Sequence, residues 1–303
     1  MKQIVILSGK GGTGKTSVAA AFAQLALTDG QQHRIVLVDA DVDAANLELV
    51  LSPTILETHE FKGGQVAIID PHKCEGCGVC AELCRYDAIH EHNGLYTVDP
   101  IACEGCALCV YQCPSGAIRA EEQVAGQWFR SDSRYGPLLH AALWPAQENS
   151  GKLVTLVKQQ GRLLAMDEMY DLVLVDGPPG IGCPVISAAA GADLSVIVVE
   201  PTVAGIHDME RALRTVNHFG IPALVCINKA DLYAEGVAEI EAFCDAHDVT
   251  VIGRLPFDVV VTEAMVQGQP VTEYRPDSAV SHALSDAWSR VLSFVDGGGE
   301  YSA

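Results

Sequence analysis

Eight consecutive residues near the N-terminus restrict the fold more than any other stretch. Gly9-Lys10-Gly11-Gly12-Thr13-Gly14-Lys15-Thr16 matches the phosphate-loop pattern G-x-x-x-x-G-K-[ST] at every defined position. Ahead of it, Gln3 to Ser8 is a short apolar run that reads as a buried strand. Behind it, Val18 to Leu27 is rich in good helix formers. Strand, glycine-rich turn and helix in that order make an anion cradle. Glycines let backbone N–H groups curl around a phosphate, and the helix N-terminus adds its partial positive charge. Lys15 is expected to reach the outer phosphates and the Thr16 hydroxyl to bind Mg²⁺, with Gly9 to Ser17 lining the cradle. The competing reading is a plain strand-to-helix turn; Lys and Thr in register argue against it. The pattern implies a site for a nucleoside triphosphate.

Lys10 adds a second lysine to the loop, K-G-G-T-G-K-T. This resembles the deviant Walker A loop of the family holding MinD, ParA, Mrp-type proteins and the nitrogenase iron protein. The resemblance implies that Lys10 crosses a dimer interface to touch the partner's nucleotide. It therefore implies an ATP-dependent homodimer, or a heterodimer with a similar ATPase. Arg34 to Asp41 is a second apolar run, ending in Asp39 and Asp41. In open parallel sheets, ligands sit beyond the carboxyl ends of the strands, where these acids fall. By the same resemblance Asp39 helps hold Mg²⁺ and Asp41 positions the attacking water, so Lys10, Lys15 and Asp41 form the expected catalytic set. Asp43 is either solvated or the cap of a helix from Ala44 to Leu51.

Tyr170 to Gly180 is an apolar strand ending in Asp176 and then Gly177-Pro178-Pro179-Gly180. That is the Walker B arrangement, with Asp176 meeting Mg²⁺ through water. Asp176 and Gly180 resemble the family's switch II, which implies that the Gly180 N–H senses the γ-phosphate. Asp193 to Glu200, Ala223 to Asn228 and Val249 to Leu255 read as further buried strands. Asn228-Lys229-Ala230-Asp231 matches the N-K-x-D guanine signature as written. The resemblance instead gives Asn228, with Asp231 nearby, an adenine contact. ATP is the expected nucleotide, and GTP stays open.

The cysteines carry a second constellation. Cys74, Cys77, Cys80 and Cys84 form C-x₂-C-x₂-C-x₃-C, and Cys103, Cys106, Cys109 and Cys113 repeat it before Pro114. Asp70-Pro71 precedes the first copy and Asp99-Pro100 the second. This is the spacing of bacterial two-cluster ferredoxins, in which the fourth cysteine of each run ligates the other cluster. Cys74, Cys77, Cys80 and Cys113 are expected to hold one [4Fe–4S] cluster; Cys103, Cys106, Cys109 and Cys84 the second. Structural zinc also suits C-x₂-C pairs and is the competing reading. Arg85 stands where the second copy has proline. Of the other cysteines, Cys226 and Cys244 read as small buried apolar residues. Cys183 lies at the offset from Asp176 where the nitrogenase iron protein bridges a cluster between subunits. No second ligand for such a cluster is evident, so Cys183 is read as structural.

The formal net charge of −20 argues against nucleic-acid binding. No stretch approaches the roughly 18 consecutive apolar residues of a spanning helix. No charged leader precedes the first strand, so a cytoplasmic location is expected. Gln123 to Tyr135 is expected to be a hairpin turning near Ala125-Gly126, and Lys152 to Met166 an amphipathic helix. Ser278 to Val295 is expected to be a helix packed on the core, because Arg290 is its only basic residue and a membrane-seeking helix would carry more. None of the histidines falls in a ligand spacing.

The expected fold is α/β: a doubly wound, mostly parallel sheet of the P-loop NTPase (SIMIBI) type with an inserted small α+β bacterial ferredoxin-like domain. The ATPase domain is expected at 1–54 and 136–296, the insert with its connections at 55–135, and a disordered tail at 297–303. The resemblance implies Mg²⁺-dependent ATP hydrolysis by a dimer carrying two [4Fe–4S] clusters. Its use would be electron transfer to an unidentified redox partner, delivery of clusters to an acceptor protein, or spatial positioning with the clusters as sensors.

Overall fold

The computed structural model describes residues 1–28, 30, 32–145 and 149–297. Its first strand, β1 (Lys2–Ser8), is buried at every position after Lys2. The phosphate loop carries it into α1 (Lys15–Thr28), where Ala19, Ala20, Ala21 and Ala23 are all buried and let the helix lie close to its neighbours. The strand β2 (Ile35–Asp39) is wholly buried and leads to the short helix α2 (Leu47–Leu51). There follow a 16-residue strand β3 (Thr54–Ile69), helix α3 (Val79–Leu83), strands β4 (Ile89–His92) and β5 (Leu95–Val98), and helix α4 (Leu108–Gln112). A second 16-residue strand, β6 (Ile118–Ser133), is joined by a hairpin to β7 (Gly136–Leu143), and α5 (Ser150–Asp167) follows. The remaining order is β8 (Leu172–Pro179), α6 (Cys183–Ala189), β9 (Leu194–Val199), α7 (Val203–His218), β10 (Ala223–Asn228), α8 (Ala234–Ala246), β11 (Thr250–Leu255), α9 (Val260–Val266), α10 (Val271–Tyr274) and α11 (Ala279–Asp296).

Among the described residues, nine strands form one sheet in the order β11-β10-β9-β1-β8-β2-β7-β6-β3. The pairs β1–β8, β1–β9, β2–β8, β2–β7, β9–β10 and β10–β11 are all parallel. These strands read as continuous apolar runs because helices cover both faces of a parallel sheet. The carboxyl ends of β1, β2 and β8 meet where the strand order reverses around β1, the crevice in which such sheets bind ligands.

The chain divides into two compact units: Met1–His59, Trp128–Ala142 and Ser150–Ala303 form the first, and Glu60–Gln127 with Leu143–Asn149 the second. The first has a large apolar cluster, in which the rings of Phe22 and Trp288 lie 5.1 Å apart. The second contains the hairpin β4–β5, turned by Asn93-Gly94 with φ of 53° and 80°.

The amphipathic helix expected over 152–166 is present as α5, whereas the hairpin turn and the start of α2 differ from expectation. The hairpin does not turn at Ala125-Gly126, because β6 runs straight through them; it turns at Arg134-Tyr135. Ser133 closes that turn: its Oγ donates to the Gly136 carbonyl at 2.7 Å and accepts the Tyr135 N–H at 3.2 Å. In α5, Leu163 is 44% exposed while Lys158 is buried, donating to the carbonyls of Ser187, Ala188 and Ala190 at the end of α6. Burial first and Arg162 second push the Lys158 ammonium down to about 8. The helix expected from Ala44 begins only at Leu47.

Helix α11 is capped by Ser278, whose Oγ accepts the Ser281 N–H at 3.2 Å. Its buried face holds Val280, Leu284, Ala287, Trp288 and Val291, and Arg290 donates to the Ile252 carbonyl at 3.1 Å. Among the described residues no helix is long and apolar enough to cross a membrane. Gly297 caps α11; the rest of the expected tail, 298–303, lies outside the described residues.

Candidate functional site

The phosphate loop is shaped by two left-handed glycines, Gly12 (φ 78°) and Gly14 (φ 95°). A Cβ at Gly14 would lie 2.4 Å from Asn228 Nδ2, so the loop is pressed against the end of β10. Asn228 Nδ2 donates to the Thr13 carbonyl at 2.7 Å, and its Oδ1 accepts the Lys229 N–H at 2.9 Å. Lys15 is buried and faces the same pocket as Thr16 and Asp41. That pocket, about 550 Å³, runs from Gly11 and Gly12 to Pro256, Phe257 and Asp258. A larger hollow of about 840 Å³ along β11 is edged by Glu241, Asp245, Asp286 and Arg290 and holds none of the phosphate-loop residues.

Asp39 and Asp176 are register partners on β2 and β8, and both are fully buried. Burial, and then the Asp176 charge, drive the Asp39 carboxyl well above its usual range. Burial pushes Asp176 up to about 6, while Thr16 and Lys15 pull the other way. Their oxygens differ in use. Asp39 Oδ1 accepts the Asp41 N–H at 3.0 Å, and its Oδ2 accepts those of Asn46 and Leu47 at 3.1 and 3.0 Å. Asp39 thus organises the 40–47 loop and serves as the acceptor at the start of α2, a place expected for Asp43. Asp176 Oδ1 is buried with no hydrogen-bond partner among the described residues. A buried carboxylate with an open oxygen, beside Thr16 and next to a second buried acid, fits a divalent cation. Asp41 sits in the pocket wall, raised from the usual carboxylate range by burial.

Gly180 has φ of 94°, and its N–H donates to the Ser8 carbonyl at 3.0 Å. Contact with a γ-phosphate requires that bond to be exchanged. Lys10 also has a partner: its Nζ lies 3.0 Å from Glu200 Oε2, and Lys229 pairs with the other oxygen of Glu200. Asp231 Oδ1 accepts the Phe257 N–H at 2.6 Å, tying the end of β10 to the pocket's far wall. Gly9 is held against α7, where a Cβ would meet Asp208.

In the second unit, one cavity is lined by Cys74, Cys77, Cys80 and Cys113, with Tyr96 and Ile118 beside them. Three of these thiols come from the first run and one from the second. The crossing is built by the backbone: the Asp70 N–H donates to the Ala117 carbonyl at 2.8 Å, and the Asp99 N–H to the Ala88 carbonyl at 2.7 Å. Each run is thereby stitched to the residues after the other run's fourth cysteine. Cys84 Sγ accepts the Ala88 N–H at 3.4 Å, and Cys113 Sγ the Ala117 N–H at 3.3 Å. Cys84, Cys103 and Cys109 pack on the same small core. Burial, reinforced by neighbouring thiols, raises Cys80 and Cys109. Burial also pushes Cys113 up, but hydrogen bonds from Ser115, Ala117 and Ile118 outweigh it and leave the thiol more acidic than usual. Among the described residues no three His, Cys, Asp or Glu side chains are grouped to hold a single metal ion. Cys183 opens α6 and is exposed; Cys226 and Cys244 are buried.

Two contacts around the phosphate loop escape sequence reasoning. The Glu200 ion pairs are one: its lysine partners are remote in sequence, and only its place directly after β9 hinted at it. The other is the bond from the Asn228 carboxamide to the Thr13 carbonyl: the sequence marked Asn228 for the base, not as a brace of the loop.

Residues 4–271 match the family described as the CobQ/CobB/MinD/ParA nucleotide binding domain. The chain is 29% identical to an uncharacterized protein of Methanocaldococcus jannaschii, across 97% of each chain. It is 28% identical to an iron-sulfur cluster carrier protein of Aquifex aeolicus, across 41% of this chain and 37% of that one. The fold is similar to that of the septum site-determining protein MinD of Pyrococcus horikoshii, solved with Mg-ADP: TM-score 0.60 at 21% identity, across 99% of both chains.

Proposed function

Since the chain belongs to the CobQ/CobB/MinD/ParA nucleotide-binding family, we propose that it is a Mg²⁺-dependent ATPase whose cysteine-bearing unit is an inserted ferredoxin-like domain for two [4Fe–4S] clusters. Nucleotide-dependent pairing of two chains would be coupled to electron transfer to a partner protein. The observation that carries this reading is the cavity shared by Cys74, Cys77, Cys80 and Cys113, which joins thiols of both runs in the crossed order of two-cluster ferredoxins. Cys84 with Cys103, Cys106 and Cys109 would form the second ligand set. Clusters bound there would supply one-electron chemistry.

In the nucleotide site, Lys15 and the loop N–H groups would hold the phosphates, and Thr16 with Asp176 would hold Mg²⁺. Asp39 keeps the 40–47 loop in place so that Asp41 faces the pocket, where it would orient the attacking water. Lys10 would act on the nucleotide of the second chain. ATP is favoured over GTP by the two-lysine phosphate loop and by the family match. Eleven free thiols suit a reducing compartment such as the cytoplasm.

A carrier function is the second reading, favoured by the similarity to the cluster carrier protein. Eight cysteines in full ferredoxin order favour resident clusters instead. Anaerobically purified protein should contain about eight iron per chain and keep them after incubation with an apo-acceptor. Transfer of most iron to the acceptor supports the carrier reading, and stoichiometric zinc without visible absorbance defeats both.

A further inference from the structure

Glu200 directly follows β9, the parallel neighbour of β1, and so lies beside the start of the phosphate loop. Its side chain is 14% exposed and is shared by two lysines, Lys10 Nζ at 3.0 Å from Oε2 and Lys229 on Oε1. The backbone of Lys10 is fixed by Ser8, whose Oγ donates to its carbonyl at 2.6 Å. With that bond kept, rotation of the side chain suffices to turn the Lys10 ammonium toward Glu200 or away from it. Lys229 has φ of 55°, a left-handed conformation that is uncommon for a non-glycine residue, and its side chain pairs with the same acid.

One carboxylate facing two ammonium groups can bond both while neutralising only one charge. If Lys10 leaves, Lys229 still pairs Glu200. A mostly buried acid is then not stranded without a partner, the outcome that makes breaking such pairs costly. The arrangement suits a lysine that must change partners.

We propose that Glu200 is a positioning residue that retains Lys10 within its own chain until the triphosphate bound by a second chain takes it, with Lys229 staying behind on Glu200. This rests on the reading that Lys10 acts across a dimer. It explains why a loop lysine expected to serve a neighbour is engaged at home in a single chain. It also gives Lys229 a task outside base recognition.

Substitutions at two positions of one cluster should shift pairing in opposite directions. With cluster-loaded protein at saturating ATP, the midpoint concentration for dimer formation is read by analytical ultracentrifugation. Glu200→Gln removes the charge that retains Lys10, and the midpoint should fall roughly fivefold, the scale of a partly exposed ion pair. Glu200→Asp shortens the reach and should shift it the same way by less, which keeps the test intact if the first variant folds poorly. Lys229→Met leaves Glu200 to Lys10 alone, and the midpoint should rise by a similar factor. A simple loss of local packing would move all three in one direction; that result, or an unchanged midpoint in both Glu200 variants, overturns the proposal. Lys10→Ala separates the premise from the inference: if it pairs and hydrolyses ATP like the native chain, the cross-dimer reading itself fails.

Discussion

In the unit that carries the phosphate loop, one large apolar cluster runs from Ile4 to Leu292, and Val5, Val36, Val173 and Ile197 are among many further residues buried outside it. In the unit that carries the cysteine runs, the buried cluster is Ala67, Cys80, Ile89 and Ile118, with Cys84, Cys103, Cys109 and Cys113 packed against it. The first can fold on hydrophobic burial and leave its ligand optional. The second is of a size at which apolar burial alone rarely suffices, and its thiols are part of what core it has. Its fold should therefore depend on what the thiols hold, as in small metal-stabilised domains. One chain would then join a site that exists before its ligand to a site that needs its ligand to exist.

The largest expected effect tests that contrast directly. Stripping iron with a chelator should leave amide protection in 150–297 intact while protection in 60–127 falls by about 10³-fold or more, equivalent to about 4 kcal/mol. Equal protection in both units after stripping would end the distinction. Lys15→Ala should weaken nucleotide binding about 10- to 100-fold, the worth of a charged hydrogen bond in such a site. Calorimetry should find the loss with iron content unchanged.

Asp176 gives a pH test confined to the first unit. Burial raises its folded pKa to about 6 from 3.8. The folded state thus holds its proton more tightly than the unfolded one, and this carboxyl costs stability as pH rises between those values. Asp176→Asn should raise the unfolding free energy of metal-free protein at pH 7.5 by on the order of 2 kcal/mol. The gain should vanish near pH 4 and be accompanied by loss of Mg²⁺-dependent hydrolysis. A gain independent of pH would mean that charge is not its cause. The smallest effect uses the internal repeat: Ala107 has φ of 59° where the first run has Gly78 at 78°. Ala107→Gly should relieve left-handed strain, less the entropy glycine loses on folding, for about 0.5 kcal/mol net. It should sharpen the melting of the cysteine unit without touching nucleotide affinity.

The phosphate loop and the cysteine runs were legible because their chemistry is written in consecutive residues. Glycine positions, strand and helix around them, and fixed spacings are all local. The parallel strands were legible as continuous apolar runs. The turn at Arg134-Tyr135 was not, because Ala125-Gly126 looks like a turn, whereas a glycine inside a long extended strand is simply passed through. Strand-end acids could be recognised but not told apart: Asp39 and Asp176 look alike in sequence. Only the fold reveals that Asp39 is filled by backbone N–H groups while Asp176 keeps an open oxygen. Glu200 and Lys158 depend on partners brought together by the sheet, and nothing near them in the chain announces those partners.

Coupling between nucleotide and clusters is what joins the two halves of the proposal, and a redox titration measures it. Each cluster's midpoint potential would be followed by electron paramagnetic resonance, with ADP, then with ATP held unhydrolysed by Asp41→Ala. A ligand that favours one of two states shifts the equilibrium by its difference in affinity. A coupling of about 1 kcal/mol appears as roughly 40 mV for one electron. A shift of a few tens of millivolts in at least one cluster is the expected result. Identical potentials and identical reoxidation rates with both nucleotides would contradict it and leave the carrier reading ahead.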